Sequence, residues 1–302
     1  LIAQYMVSQL GYNYDMDVLL DIIDDYMDNI KSKCSWGYTT PYFVAGCYSA
    51  HVNNITYLMQ KSSIRSKNIR YILNKIGAIP RKRYDYDLLE KTYLEYLESD
   101  VDDTVALQRL HSELDGKSIL VLAPGCSVVE QKNKIEQYME RHKPIVISIN
   151  FVPDLVKADY VYMSNSRRYS YWKNNENYLS KKKIITSNLK TQSYDELEYI
   201  ISFNKLIKCG WEHIDNSALM LLRLLDIMNI KSIAIAGLDG YSYIDEKSTN
   251  YATPELELYN VTQNPSALNK EISNMLKDYC ETRKGNADIK FITSSRFSDI
   301  FE

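Results

Sequence analysis

Five residues of types that can bind an anionic ligand lie just after apolar segments, where a strand would end. They are Gly125, Cys126, Ser127, Asn150 and Asp239. A glycine lets the backbone approach a ligand, and free N–H groups at the start of a helix attract a phosphate. An Asn amide can hydrogen-bond a base or a ribose, and an Asp carboxylate can accept from ribose hydroxyls or hold a metal. The spacing therefore predicts a binding edge for an anionic, nucleotide-like molecule.

A parallel sheet is needed to bring these residues together. Short apolar runs rich in β-branched residues predict buried strands at 118–123, 145–149, 160–163, 183–186, 232–237 and 289–292. Helical spacing lies between several of them, at 128–141, 216–228 and 266–283. The fold class predicted is α/β, with an N-terminal all-helical segment followed by an open, mostly parallel Rossmann-like α/β/α sheet domain. Ligands of such sheets bind at the carboxyl ends of the strands, so we expect the polar turns to share one edge.

Each candidate binding residue also has a structural explanation, and both explanations stay open. Gly125 suits a tight strand-to-helix turn, Asn150 can cap the turn that follows it, and Asp239 can bond its own backbone. Asn216 and Ser217 open the helix before the turn at Asp239, where they would add a phosphate or carboxylate contact. A plain helix N-cap is the simpler reading of Asn216.

Groups suited to catalysis are few. His213 lies close to the helix start at 216, and Tyr251 lies in the loop before the final long helix, so these two are the catalytic candidates. A lone His near a loop is more often structural. Arg167 and Arg168 could reach a phosphate, although a solvated helix surface is the better prediction. The chain has no HxH, HExxH, GxSxG or Cys/His metal spacing, so no metal site is predicted.

Composition excludes some classes of protein. The 302 residues carry a formal net charge of -3 with a pI near 5.9, which argues against coating nucleic acid. Five scattered Cys suggest reduced thiols and a cytoplasmic location, and no apolar run reaches the ~18 residues of a membrane span. We divide the chain into helices at 1–97, a linker with a connecting helix at 98–117, and the α/β domain at 118–302. In the first part, Gly11 is expected to end one helix and Asp15 to cap the next.

The N-terminal part resembles a known family. The carrying motifs are Trp-Gly-Tyr-Thr-Thr-Pro-Tyr-Phe at 36–43 and His-Val-Asn-Asn at 51–54. With them, residues 1–97 resemble the C-terminal helical end of aldolases related to 4-hydroxy-2-oxovalerate aldolase, in the HMG-CoA-lyase-like TIM-barrel group. The resemblance implies that the barrel, its divalent metal and its general base precede this chain, so the aldolase active site is not part of it. It also implies a homo-oligomer formed through the N-terminal helices.

The α/β part carries a second resemblance. Leu-Ala-Pro-Gly-Cys-Ser at 122–127, Ser-Ile-Asn-Phe at 148–151 and much of 216–241 resemble the nucleotide-binding fold of Campylobacter-type sialyltransferases and of pterin pyrophosphokinase-like domains. The resemblance implies a CMP-type or ATP-type nucleotide, or a nucleotide-sugar, held by Gly125, Ser127, Asn150, Ser217 and Asp239. Those transferases use a His as general base before their last long helix, whereas residues 251–266 here contain no His. A tyrosine with a pKa of about 10 is a poor substitute.

Two functional hypotheses follow. In the first, the chain is the C-terminal portion of a bifunctional aldolase, and its transferase-like domain serves surface-polysaccharide precursor synthesis. In the second, the α/β domain is a non-catalytic ligand-binding module that anchors or controls the aldolase. Neither hypothesis requires a nucleic-acid or membrane partner.

Overall fold

The fold is taken from a computed structural model that describes residues 2–27, 43, 46–48, 50–60, 66–77, 86–97, 101–190, 192–193, 195–208, 210–211, 216–243, 249–253, 256 and 264–301. Helices form the first part: α1 (Ile2–Leu10), α2 (Met16–Ile22, continued by a π-helical turn at Ile23–Met27), α3 (Val52–Gln60), α4 (Ser66–Gly77), α5 (Tyr86–Leu97) and α6 (Thr104–Leu114). The all-helical start predicted from the sequence is confirmed for these residues.

Local signals set the ends of the first two helices as expected. Gly11 adopts φ +69°, the left-handed conformation that ends α1. The Oδ1 atom of Asp15 accepts hydrogen bonds from the N–H groups of Asp17 and Val18, both at 3.1 Å. The apolar side of α2 lies open, since Val18 is 52% exposed and Tyr26 is 64% exposed.

The second part alternates strands and helices. Its elements are β1 (Ser118–Leu122), α7 (Ser127–Glu130), α8 (Lys132–His142), β2 (Ile145–Ile149), β3 (Tyr160–Met163), α9 (Ser166–Trp172), α10 (Glu176–Leu179), β4 (Lys182–Thr186), β5 (Glu198–Ile201), α11 (Ser217–Ile227), β6 (Ser232–Ala236), α12 (Pro265–Thr282), β7 (Asp288–Phe291) and a 3-10 turn (Ser298–Ile300). The strands form one sheet in the order β5-β4-β3-β2-β1-β6-β7, and every adjacent pair is parallel. The predicted α/β class is confirmed.

Several elements differ from the sequence prediction, and among them the short helices α9 and α10 between β3 and β4 were not predicted. The strand β5 was not predicted, because its four residues begin with a charged Glu198 and give too short a pattern. The single helix predicted at 128–141 is two helices, since Gln131 has φ −116° and ψ 31° and leaves the helical region.

Alternate residues of the strands pack on opposite faces of the sheet. Ile119 and Val121 of β1 belong to a large cluster with side chains of α6, α11 and α12. That cluster also contains Ile55, Leu58, Ile69, Ile72, Leu73, Ile76, Leu89 and Tyr93 from α3, α4 and α5. Leu120 and Leu122 point to the opposite face, where they pack with Val128 and Ile135. The sheet therefore has helices on both faces, and its strand ends are left to form a site.

The amino edge of the sheet is held by charged contacts. The carboxylate of Glu113, at the end of α6, accepts hydrogen bonds from the hydroxyls of Tyr160 and Tyr199 and from Lys182 Nζ, the last two at 2.6 Å. Burial alone would raise the pKa of Glu113, but these three donors outweigh it and lower the pKa from its ordinary 4.5. Asp103, assigned to an acidic linker from the sequence, is buried instead and accepts from Ser202 N–H at 2.9 Å.

Within the described residues, no helix is both long and apolar enough to cross a membrane.

Candidate ligand site at the carboxyl edge of the sheet

Three polar turns lie at one level of the sheet. Leu122, the last residue of β1, pairs with Ser148 on one side and with Ala236 on the other. Neighbouring strands are about 4.8 Å apart, so the turns after β1, β2 and β6 are adjacent. The prediction that they share one edge is confirmed. Strand order reverses between β1 and β6, the position at which open α/β sheets bind ligands.

The turn after β1 is closed by a carboxylate of the protein itself. Asp239 Oδ2 accepts from the Ser127 N–H at 2.8 Å, and Asp239 Oδ1 accepts from the Ser127 hydroxyl at 2.5 Å. The Ser127 hydroxyl also lies 2.9 Å from Thr293 Oγ1, which accepts from the Gly237 N–H at 3.0 Å. The Ser127 N–H, at the helix start predicted to attract a phosphate, is therefore already bound to the Asp239 carboxylate. The helix that begins there, α7, is a single turn of four residues.

The glycines of this region allow two turns to touch. A Cβ atom on Gly125 would lie 2.4 Å from Asp239 Oδ2 and 2.4 Å from the Gly237 carbonyl oxygen. Gly237 has φ +76°, and its Cβ would lie 2.1 Å from the Ala123 carbonyl oxygen. Contact between the turns explains both glycines without a ligand, and for Gly125 the cause is this close approach rather than the tight strand-to-helix turn considered from the sequence.

Cys126 stands beside this contact as a neutral thiol. Burial, together with the nearby carboxylates of Asp239 and Glu130, raises its pKa to about 11. Its Sγ atom lies 3.5 Å from Asp239 Oδ2. A protonated thiol is a weak nucleophile, so Cys126 is a candidate contact residue rather than a reactive one.

A second cluster surrounds Asn150. This residue adopts the left-handed φ of 59°, which Asn tolerates better than other residues with a side chain. Its Oδ1 accepts from the N–H groups of Ser164 at 3.0 Å and Asn165 at 3.2 Å, while its Nδ2 donates to Ser217 Oγ at 2.7 Å. The hydroxyls of Ser164 and Ser217 are also 2.7 Å apart. The ends of β2 and β3 are thus joined to the start of α11.

Asn216 has the capping role that the sequence favoured. Its Oδ1 accepts from the N–H groups of Ala218 at 3.2 Å and Leu219 at 3.3 Å. The predicted binding residues therefore fall into two groups, one around Asp239 and Ser127 and one around Asn150 and Ser217.

The sequence reading missed two members of the second cluster. Ser164 directly follows β3, and Asn188 lies two residues after β4, where its Nδ2 donates to the Ser164 carbonyl at 3.1 Å. The signal was present, because both are polar residues just beyond predicted strands.

Of the two catalytic candidates, His213 lies outside the described residues. Tyr251 is 7% exposed, and its backbone forms an antiparallel bridge with Gly125. The Ala252 N–H donates to the Pro124 carbonyl at 2.8 Å, and the Tyr251 ring meets the Tyr241 ring edge-on at 6.3 Å between centroids. Tyr251 therefore packs between the turns after β1 and β6.

A cation lies against Tyr251. The guanidinium carbon of Arg168, on α9, is 5.1 Å from the centroid of the Tyr251 ring. Burial lowers the pKa of Arg168, and the side chain is only partly exposed. Arg167 is exposed, as predicted for a solvated helix surface, whereas Arg168 is only partly exposed, because the ring of Tyr251 lies against it.

The part of the chain that the structure describes contains no group of three His, Cys, Asp or Glu residues able to hold a metal ion. No protein-family model and no curated protein matches this chain.

Proposed function

We propose that the α/β part of the chain binds an anionic small molecule of the nucleotide or nucleotide-sugar class across the carboxyl ends of β1, β2 and β6. One observation carries the proposal, namely that buried hydroxyl and amide side chains are concentrated at this edge. Those of β1 and β2 are Ser127, Ser148 and Asn150, and the same edge continues with Ser164 and Ser166 after β3, Thr186 and Ser187 at the end of β4, Ser202 after β5 and Thr293 after β7. Burying polar groups is costly, and pockets for small molecules use a few such groups to orient the ligand.

The arrangement suits a ligand with several hydroxyls and ring nitrogens. Hydroxyl groups such as those of Ser164 and Ser217 donate one hydrogen and keep lone pairs for further partners. The cluster lies next to the reversal of strand order, which supports the choice of this edge. The resemblance of residues 122–127 and 216–241 to nucleotide-binding transferases points to the same ligand class.

Thermal unfolding of the whole chain with CMP, CDP, ATP and sugar nucleotides tests the proposal. A ligand at 100 times its Kd adds about 2.7 kcal/mol of stability, which raises Tm by roughly 5–10 °C. Ser217→Ala should weaken the response, whereas Ser112→Ala should not, because Ser112 is an exposed residue of α6 whose hydroxyl donates to the Arg109 carbonyl of the same helix. If millimolar concentrations of every nucleotide leave Tm unchanged, the proposal fails.

One observation favours a binding module over a transferase, namely that residues 251–266, where the transferases that the chain resembles carry their general base, contain no His. We propose that the module accompanies an aldolase, of which residues 1–97 are the helical end. The protein would act in the cytoplasm, in the synthesis of surface-polysaccharide precursors. It would self-associate through the N-terminal helices. The exposed apolar side of α2 supports the self-association.

Turnover separates the two hypotheses. Incubation with the nucleotide-sugar that gives the largest thermal shift, followed by chromatography of the products, detects release of free nucleotide. Release that depends on the protein would identify a transferase and remove the preference for a module.

A further inference from the structure

Arg168 is a partly buried cation that has no acidic partner among the described residues. Two other partly buried arginines of the chain each have an acceptor: Arg283 lies 3.6 Å from the Asp226 carboxylate, and Arg223 donates to the Leu206 carbonyl at 2.8 Å. The guanidinium of Arg168 lies over the ring of Tyr251, and the polar groups that act on its charge are the phenol groups of Tyr251 and Tyr241 rather than a carboxylate. A guanidinium keeps its charge at all physiological pH values, so its partial burial leaves a positive charge incompletely solvated.

This charge is connected to the candidate site through Tyr251. The backbone of Tyr251 is bridged to Gly125 in the turn after β1, and its ring packs on Tyr241 in the turn after β6. Arg168 itself lies on α9, just after β3. The cation is therefore attached to the same edge that carries the hydroxyl and amide cluster.

The negative charge of Asp239 makes the turn after β1 a poor place for a phosphate, which leaves Arg168 as the favourable place at this edge. The Ser127 N–H is taken by the Asp239 carboxylate, whose negative charge opposes a second anion there. Arg168 presents planar N–H donors that match two oxygens of a phosphate, and the ring of Tyr251 limits the rotamers of the side chain.

We propose that Arg168 is the phosphate-binding residue of this edge and that Tyr251 positions its guanidinium. The proposal rests on the proposed nucleotide binding and adds to it the group that recognises the phosphoryl oxygens.

Paired ligands test the role of Arg168. Isothermal titration would compare CMP with cytidine, and ATP with adenosine, on the wild type and on Arg168→Gln, Arg168→Lys and Arg167→Gln. We expect Arg168→Gln to weaken nucleotide binding about 10- to 100-fold and to leave nucleoside binding unchanged, because only the phosphate contact is lost. Arg168→Lys keeps the charge but not the paired donors, so it should recover only part of the affinity.

Arg167→Gln is the matched control. It removes the same charge from the neighbouring position of α9, where the side chain is exposed and its Nη2 donates to the Met59 carbonyl at 3.4 Å. Its nucleotide affinity should stay within about twofold of the wild type.

The outcomes separate the two proposals. If the wild type binds neither nucleotides nor nucleosides, the proposed function fails and this inference fails with it. If the wild type binds nucleotides and Arg168→Gln binds them equally well, only the role of Arg168 is overturned. A second measurement uses the wild type alone, so that it does not depend on the folding of a variant. Inorganic pyrophosphate should compete with the nucleotide for the protein. Failure to compete at 10 mM, on the order of the Kd of a weak phosphate site, would refute the inference.

Discussion

Replacing Asp239 by alanine should destabilise the protein even when no ligand is present. Ser127 is 3% exposed, and Asp239 accepts hydrogen bonds from both its N–H and its hydroxyl. Removing the carboxylate leaves a buried N–H without its acceptor, which costs about 1–3 kcal/mol, and a charged acceptor is worth more than a neutral one. We expect a total loss of roughly 2–4 kcal/mol, or a fall in Tm of about 5–12 °C.

Asp239→Asn should cost less, about 1 kcal/mol, because an amide oxygen can still accept from the Ser127 N–H. Its amide nitrogen can donate to the Ser127 hydroxyl, which then donates to Thr293, 2.9 Å away. Asp154→Ala is the control, since Asp154 is an exposed residue of the loop after β2 and its loss should change stability by less than about 0.5 kcal/mol.

Urea unfolding of the three variants and the wild type, followed by circular dichroism, measures these differences. If Asp239→Ala is as stable as Asp154→Ala, the carboxylate does not hold the turn, and its place beside Ser127 would have to be assigned to ligand binding instead. The result also decides how ligand assays are read, because a destabilised Asp239→Ala would lose a thermal shift for structural reasons. Asp239→Asn is therefore the informative variant for binding.

Three further changes test the contacts that shape the edge and its support. Gly237→Ala should lower stability by several kcal/mol in thermal unfolding, because the residue has φ +76° and its Cβ would lie 2.1 Å from the Ala123 carbonyl oxygen. Asn216→Ala should cost about 1 kcal/mol in urea unfolding through the loss of the α11 cap, whereas Asn216→Asp should retain it. Glu113→Gln should be less stable than the wild type at pH 7. The difference in stability should shrink as pH falls below about 4.5, because a carboxylate whose pKa is lowered in the folded state stabilises that state only while it is ionised. A constant difference in urea unfolding from pH 7 to pH 3 would contradict the role of Glu113.

The sheet could be predicted from sequence because its strands are buried on both faces. Continuous apolar runs such as Ile119–Leu122 and Ile233–Ala236 are typical of strands covered on both faces, and both runs are buried. The strand β5 could not be predicted from the sequence, because it lies at the edge of the sheet beside β4 and begins with a charged residue. Its place depends on tertiary contacts, including the Asp103 carboxylate that accepts from Ser202, and local patterns do not show these.

The polar turns were located correctly, whereas the partners of their side chains were not foreseeable. Sequence placed Ser127 and Asp239 on the same edge, but only the three-dimensional packing of two glycine-containing turns shows that they bind each other. Arg168 shows the same limit, since its ring partner Tyr251 lies in a distant segment of the chain, between β6 and α12. A contact of that separation leaves no trace in local spacing.

These contacts change the place where a phosphate would be expected. A glycine-containing turn before a helix usually offers free N–H groups. Here the Asp239 carboxylate accepts the hydrogen bond from the Ser127 N–H and makes the turn after β1 locally negative. Within the described part of the chain, no carboxylate pairs with the guanidinium of Arg168, which contacts Tyr251, the residue bridged to Gly125 in the same turn. A nucleotide that lies across this edge would therefore turn its phosphate towards α9 and its sugar and base towards the Asn150 and Ser217 cluster. The orientation can be checked separately from affinity, because Arg168→Gln should affect nucleotides and not nucleosides, whereas Ser217→Ala should weaken both.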